Sequence, residues 1–89
     1  MKSYKFRVTG RVQGVYYRVS VQKNALKYHY KGYVKNMLDK SVEACVRCQE
    51  SEVARFIEIL KEGSHVSRVD NIEPFTCDEI FTDTFEVRQ

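Results

Sequence analysis

The segment Gly10-Arg11-Val12-Gln13-Gly14-Val15-Tyr16-Tyr17-Arg18 holds the residue types best suited to binding an anion. It leads from a strand pattern into a helix pattern. Such a junction presents successive backbone N–H groups and the positive end of a helix. Gly14 can take the φ values that let a backbone curl around a ligand. Arg18 falls in the first helical turn, where its guanidinium can fork onto two phosphate oxygens. A tight turn alone would use the same glycines. The segment is not a nucleotide-binding P-loop, because no Lys-Ser or Lys-Thr follows the glycines, and the third glycine of a dinucleotide fingerprint is missing. A second candidate is Asn36, which shares its strand phase with apolar Val34. A polar side chain in that phase either caps the strand locally or faces a ligand.

Other chemistries find little material. Residues 1–47 carry 11 Lys/Arg against 2 Asp/Glu, whereas residues 48–89 carry 4 against 10. No carboxylate precedes Asp39, so chemistry centred on the N-terminal half cannot use a pair of local carboxylates as acid and base. That half offers a positive field, which fits a solvated basic face, a nucleic acid or a small phosphate compound. The three cysteines, Cys45, Cys48 and Cys77, are an odd number without a disulfide framework. Cys45 and Cys48 have metal or redox spacing, but they lie in a strand pattern where positions three apart point to opposite faces. No structural zinc site follows from them, and His65 has no role.

The elements that position Arg18 and Asn36 can be read from periodicity. Residues 3–10 alternate, with Tyr4, Phe6 and Val8 on one side, as in a half-buried strand. Tyr17, Val21, Ala25 and Tyr28 line one face of a helix over residues 17–30. His29 near its end suits a left-handed C-cap, while Tyr28 and Tyr30 are packing residues. Residues 33–36 and 42–48 form a hairpin around an Asp39-Lys40-Ser41 turn. Ser51 is the expected N-cap of a second helix, with Val53, Phe56, Ile57 and Leu60 on its apolar face and Gly63 as an αL C-cap. Residues 68–77 read as a strand made irregular by Pro74, and residues 84–88 as a short last strand. A split βαβ order implies an antiparallel sheet with both helices on one face and the other face open. The 89 residues form one domain (1–89), with 24 Leu, Ile, Val and Phe to build its core. No apolar stretch approaches the length of a membrane span or a signal h-region, so the expected location is the cytoplasm.

The two candidate residues sit in two recognisable motifs. Residues 10–18 closely resemble the acylphosphatase motif G-R-V-Q-G-V-x-[FY]-R. Residues 32–43 are similar to that family's second motif, G-x-V-x-N-x-x-D-G-x-V-E, except that Lys40 replaces a glycine. Gly63 to Glu73 is similar to the family's turn and following strand, so the resemblance spans roughly residues 3–88. It implies a ferredoxin-like α/β sandwich (α+β, βαββαβ plus a short terminal strand). It also implies hydrolysis of carboxyl-phosphate anhydrides with no metal and no cofactor. By the same resemblance, Arg18 binds the phosphate and Asn36 orients the attacking water. The backbone of Gln13, Gly14, Val15, Tyr16, Tyr17 and Arg18 forms the phosphate cradle.

The chemistry is compatible with these residues, since phosphoryl transfer from a mixed anhydride to water needs mainly positioning and charge stabilisation. Lys40 strains its turn if φ is positive there, and Tyr17 needs a hydroxyl partner if buried. The expected partners are a small acyl phosphate and, as product-like anions, inorganic phosphate or sulfate, acting on a monomer. Two other readings stand beside the enzyme. One is an RNA-binding sheet, for which Lys31-Gly32-Tyr33 begins a recognition pattern that the next residues do not continue. The other is a catalytically idle anion-binding module.

Overall fold

The computed structural model describes residues 1–79 and 83–88. Strand β1 (Lys2–Arg11) leads to helix α1 (Tyr17–Lys27), and the hairpin β2 (Lys31–Asn36) and β3 (Val42–Cys48) follows. A 3₁₀ turn (Glu50–Glu52) runs into helix α2 (Val53–Glu62), and β4 (Arg68–Thr76) and β5 (Phe85–Arg88) complete the order. The sheet is arranged β4-β1-β3-β2-β5. The expected split βαβ arrangement is present, with one correction to the all-antiparallel sheet: β5 pairs in parallel with β2, Val34 opposite Val87. The reason is directional. β1 and β2 run the same way because both are antiparallel to β3, and β4 runs against them. A chain leaving β4 and crossing to the far edge without changing ends must then run along β2.

One face of the sheet carries the core. Phe6, Val8, Val34, Ala44 and Val46 pack against Tyr17, Val21 and Ala25 of α1 and Phe56, Ile59 and Leu60 of α2. The Phe56 ring lies 6.0, 5.5 and 5.9 Å from those of Phe6, Tyr30 and Phe85. The Tyr17 hydroxyl finds its partner in the Leu60 carbonyl at 2.6 Å, tying the two helices together. Cys48 joins this core while Cys45 lies on the opposite face beside Tyr33, as strand alternation requires.

The helix ends depart from expectation in three places. α1 stops at Lys27, so Tyr28 leaves the buried face and stands 46% exposed beneath the Arg55 guanidinium. The stop is a Schellman motif: His29 takes φ 60°, its amide donates to Leu26 O at 3.1 Å, and the Tyr30 amide donates to Ala25 O at 3.1 Å. Ser51 is not an N-cap, because the 3₁₀ turn spends residues 50–52 and α2 starts only at Val53. Gly63 has positive φ but not the αL pair, at φ 51° and ψ −126°. Glycine is required there by space, since a Cβ would lie 2.6 Å from the Tyr17 ring. β4 is an edge strand, which tolerates Pro74, and the irregularity expected in this strand falls at Asp70 instead, the extra residue opposite Thr9 and Gly10 of β1.

Lys40 has φ 76° in the β2–β3 turn, where its amide donates to Met37 O at 3.1 Å. A left-handed lysine costs about 1–3 kcal/mol, part of which glycine returns as extra freedom of the unfolded chain. Lys40→Gly is therefore expected to stabilise the fold by about 1 kcal/mol, read as a melting temperature several degrees higher. A lower melting temperature would show that the turn is not strained.

Candidate active site

The loop after β1, the end of β2, the start of β4 and the end of β5 all meet at one end of the sheet, because β1, β2 and β5 share a direction. Within the loop, Val12 and Val15 are buried and act as anchors. Between them Gly14 takes φ 72°, with open space where a Cβ would stand, so backbone conformation selects glycine rather than crowding. Tyr16 takes φ 62° and ψ 21°, a costly left-handed conformation for a bulky residue, and its ring is 78% exposed. Two ties hold the strained turn. Gln13 Nε2 donates to Met37 O at 2.8 Å and to Ser41 O at 2.9 Å, and Ser64 Oγ donates to Val15 O.

The turn opens into α1. Among the described residues, the first amide of this helical end with a backbone acceptor is that of Ser20, on Tyr16 O at 3.2 Å. The Tyr17, Arg18 and Val19 amides precede it and have no intrahelical acceptor, so they point out of the positive helix end. Arg18 is half-buried, and its Nη1 donates to the Arg88 carbonyl at 2.8 Å. That bond fixes the guanidinium and leaves most of its five donors for another partner.

Asn36 closes β2 opposite Val42 and points to the same side of the sheet as buried Val34. Its Oδ1 is buried with no hydrogen-bond partner among the described residues. The amide oxygen therefore does not cap the strand. A buried acceptor left without a partner is costly and marks a place where a donor belongs.

Arg18 and Asn36 line one shallow depression of about 320 Å³, together with Val12, Gly14, Tyr16, Tyr17 and Val19. Four of the six residues expected in the cradle are thus brought together. Gln13 and Val15 are not at its surface and act from behind it, one as a clamp and one as an anchor. Larger concavities exist, one of about 730 Å³ between α2 and β4. Its lining is mostly apolar and includes neither Arg18 nor Asn36. Sequence reasoning missed the Arg88 carbonyl, the Ser64 tie and the two carbonyls that hold Gln13. Side-chain bonds to distant backbone carbonyls leave no pattern in a sequence. Among the described residues no group of three or more His, Cys, Asp or Glu could hold a metal ion.

Asp39 stabilises the turn that receives Gln13. Its carboxylate accepts from the Ser41 hydroxyl and amide, the latter at 3.0 Å, and from Arg7 Nη2 at 2.6 Å. These bonds, Ser41's foremost, hold the Asp39 carboxyl well below the ordinary carboxylate range.

The whole chain has known relatives. The family model described as Acylphosphatase matches residues 4–87. An acylphosphatase from Methanocella arvoryzae is 38% identical over 88 residues, covering 99% of this chain and 100% of its own. The crystal structure of an acylphosphatase from Bacillus subtilis matches with a TM-score of 0.90 at 34% identity, covering 100% of both chains. The fold also recurs inside larger proteins: T. kodakarensis HypF matches with a TM-score of 0.80 at 37% identity over 98% of this chain, but only 12% of HypF. The chain belongs to the acylphosphatase family and is an enzyme of that type, with the ferredoxin-like α+β fold of its relatives. No helix among the described residues is long and apolar enough to cross a membrane.

The depressed Asp39 gives the fold a pH dependence. Its contribution is fully present above the unfolded value of about 3.9 and is lost as pH falls toward the lower folded value, because the unfolded chain then binds the extra proton. In urea titrations from pH 7 to about pH 3, Asp39→Asn is expected to be less stable at pH 7 and to lose less on acidification than wild type. Equal acid losses in the two proteins would refute this.

Proposed function

We propose that this chain hydrolyses the carboxyl-phosphate anhydride of small acyl phosphates, with Arg18 and the loop amides holding the phosphate and Asn36 holding the water. The observation that carries the reading is that Asn36, whose buried Oδ1 has no hydrogen-bond partner among the described residues, lines the same depression as Arg18. The phosphate sits at the helix end, with its oxygens taken by the outward amides and the guanidinium fork. Asn36 Oδ1 accepts a hydrogen bond from the water and fixes its oxygen in line with the scissile bond. Water attacks phosphorus, the phosphorus–acyl oxygen bond breaks with its electrons on the departing carboxylate, and inorganic phosphate forms. The leaving group is stable without protonation, so no general acid is needed. The Arg18 guanidinium can hold the developing charge through the transition state. In this reading residues 1–89 act as one monomeric cytoplasmic domain, and inorganic phosphate or sulfate occupies the same cradle.

The RNA-binding alternative has less to stand on. Tyr33, the aromatic of the partial recognition pattern, is only 4% exposed. The Arg88 guanidinium lies 3.9 Å from its ring centroid, and its hydroxyl donates to Glu43 at 2.6 Å. A base has no open ring to stack on there.

Hydrolysis of an aryl acyl phosphate in the presence of EDTA tests the proposal. Wild type should turn over, and Arg18→Ala should lose at least about 10²–10³ in rate. Arg18→Lys should recover little, since it lacks the fork. Asn36→Ala should lose kcat with a smaller change in KM, as expected for a group that positions the water rather than the substrate. A folded wild type without turnover, or mutants as fast as wild type, would sink the assignment.

A further inference from the structure

We propose that Cys45 and Cys77 are a thiol pair that small disulfides of the glutathione type oxidise to an intramolecular disulfide, stapling the start of the β4–β5 connection to the middle of the sheet. The two Sγ atoms are 4.0 Å apart, and both are free thiols. A disulfide needs about 2.05 Å, so the sulfurs must close by about half that gap. Cys45 cannot supply the movement, because β3 is paired on both sides, with Lys5 and Tyr33 opposite it. Cys77 can, because it lies one residue beyond the end of β4 at Thr76 and no ladder holds its backbone.

The environments order the chemistry. Cys77 is half-buried and within reach of a small reagent, whereas Cys45 is fully buried between strands. Burial pushes the Cys45 thiol up to about 12, which makes it a poor first nucleophile. The Cys77 thiolate attacks one sulfur of the oxidised glutathione, forming a mixed disulfide and releasing one glutathione thiolate. Cys45 then attacks the Cys77 sulfur, and its proton passes to the second departing glutathione. Two protein thiols are oxidised and one glutathione disulfide is reduced to two thiols. Cys48 is an internal control: it faces the opposite, helix-covered side of the sheet, and its thiol is also raised by burial, to about 11.

The staple would close a loop of roughly thirty residues and restrict the unfolded chain accordingly. It would also fix Cys77 against the cluster of Cys45 and Tyr33, whose ring carries the Arg88 guanidinium.

The experiment is incubation of the folded protein with oxidised glutathione, followed by intact mass, peptide mapping and thermal melting. Wild type should lose two hydrogens, yield a peptide linking Cys45 to Cys77, and keep Cys48 as a thiol alkylated only after unfolding. Its melting temperature should rise by on the order of 10 °C. Cys45→Ala should stop at one glutathione adduct on Cys77, and Cys77→Ser should take up none while folded. Three surviving thiols in wild type, a persistent adduct equal to that of Cys45→Ala, or a link through Cys48 or between two chains would each overturn the proposal. So would a bond that leaves the melting temperature unchanged or lowers it. The wild-type mass and peptide map decide the question even if a variant does not fold.

Discussion

One side-chain amide sets the geometry on which the rest of this end of the molecule depends. Gln13 bonds two carbonyls on either side of the β2–β3 turn, Met37 and Ser41. It thereby fixes the height of the β1–α1 loop relative to the end of β2. Asn36 lies at the end of that strand, and Gly14 and Tyr16 flank the loop's anchor Val15. Without the clamp, a turn containing two left-handed residues would relax, and the helix-end amides would no longer face the same space as Asn36. The second tie, from Ser64 to Val15, approaches from the loop after α2. The strained turn is thus held from both flanks, as a conformation of high local energy must be if it is to persist.

The sheet's strand order provides the third wall. β5 joins the edge of β2 in parallel, so its last described residue arrives at the same end as the loop. Its backbone, not a side chain, then orients Arg18. A carbonyl acceptor aligns a guanidinium without neutralising it, whereas a carboxylate in that place would compete with a bound anion for the same charge. Asp39, the carboxylate of the β2–β3 turn, is occupied elsewhere, with Ser41 and Arg7.

Much of this was legible in the sequence. The strand–loop–helix junction, the opposite faces of Cys45 and Cys48, and the buried phase of Phe56 and Leu60 all follow from periodicities of two and 3.6. The left-handed His29 and Lys40 follow from position in a helix end and a short turn. What was not legible is longer in range. The parallel entry of β5 depends on which edge the chain crosses to, which no local pattern records. The end of α1 at Lys27 breaks an otherwise continuous apolar spacing, because a Schellman cap competes with propagation of the helix. The charge asymmetry along the chain is offset only in part in three dimensions. Basic β1 lies beside β4, where Arg7 meets Glu73 at 3.3 Å.

The Arg18–Arg88 bond spans 70 residues of sequence. The helix that carries the guanidinium forms early in the chain, but the carbonyl that aligns it comes from a four-residue edge strand near the other end. Short edge strands are the first to fray, with opening free energies far below that of global unfolding. The alignment of Arg18 therefore depends on a four-residue strand paired on one side only. Chains with an intact core but an undocked final strand would carry the same fold spectroscopically while leaving the arginine unaligned. With Arg18 in its proposed role, turnover would then report on the docking of one edge strand rather than on the folding of the core.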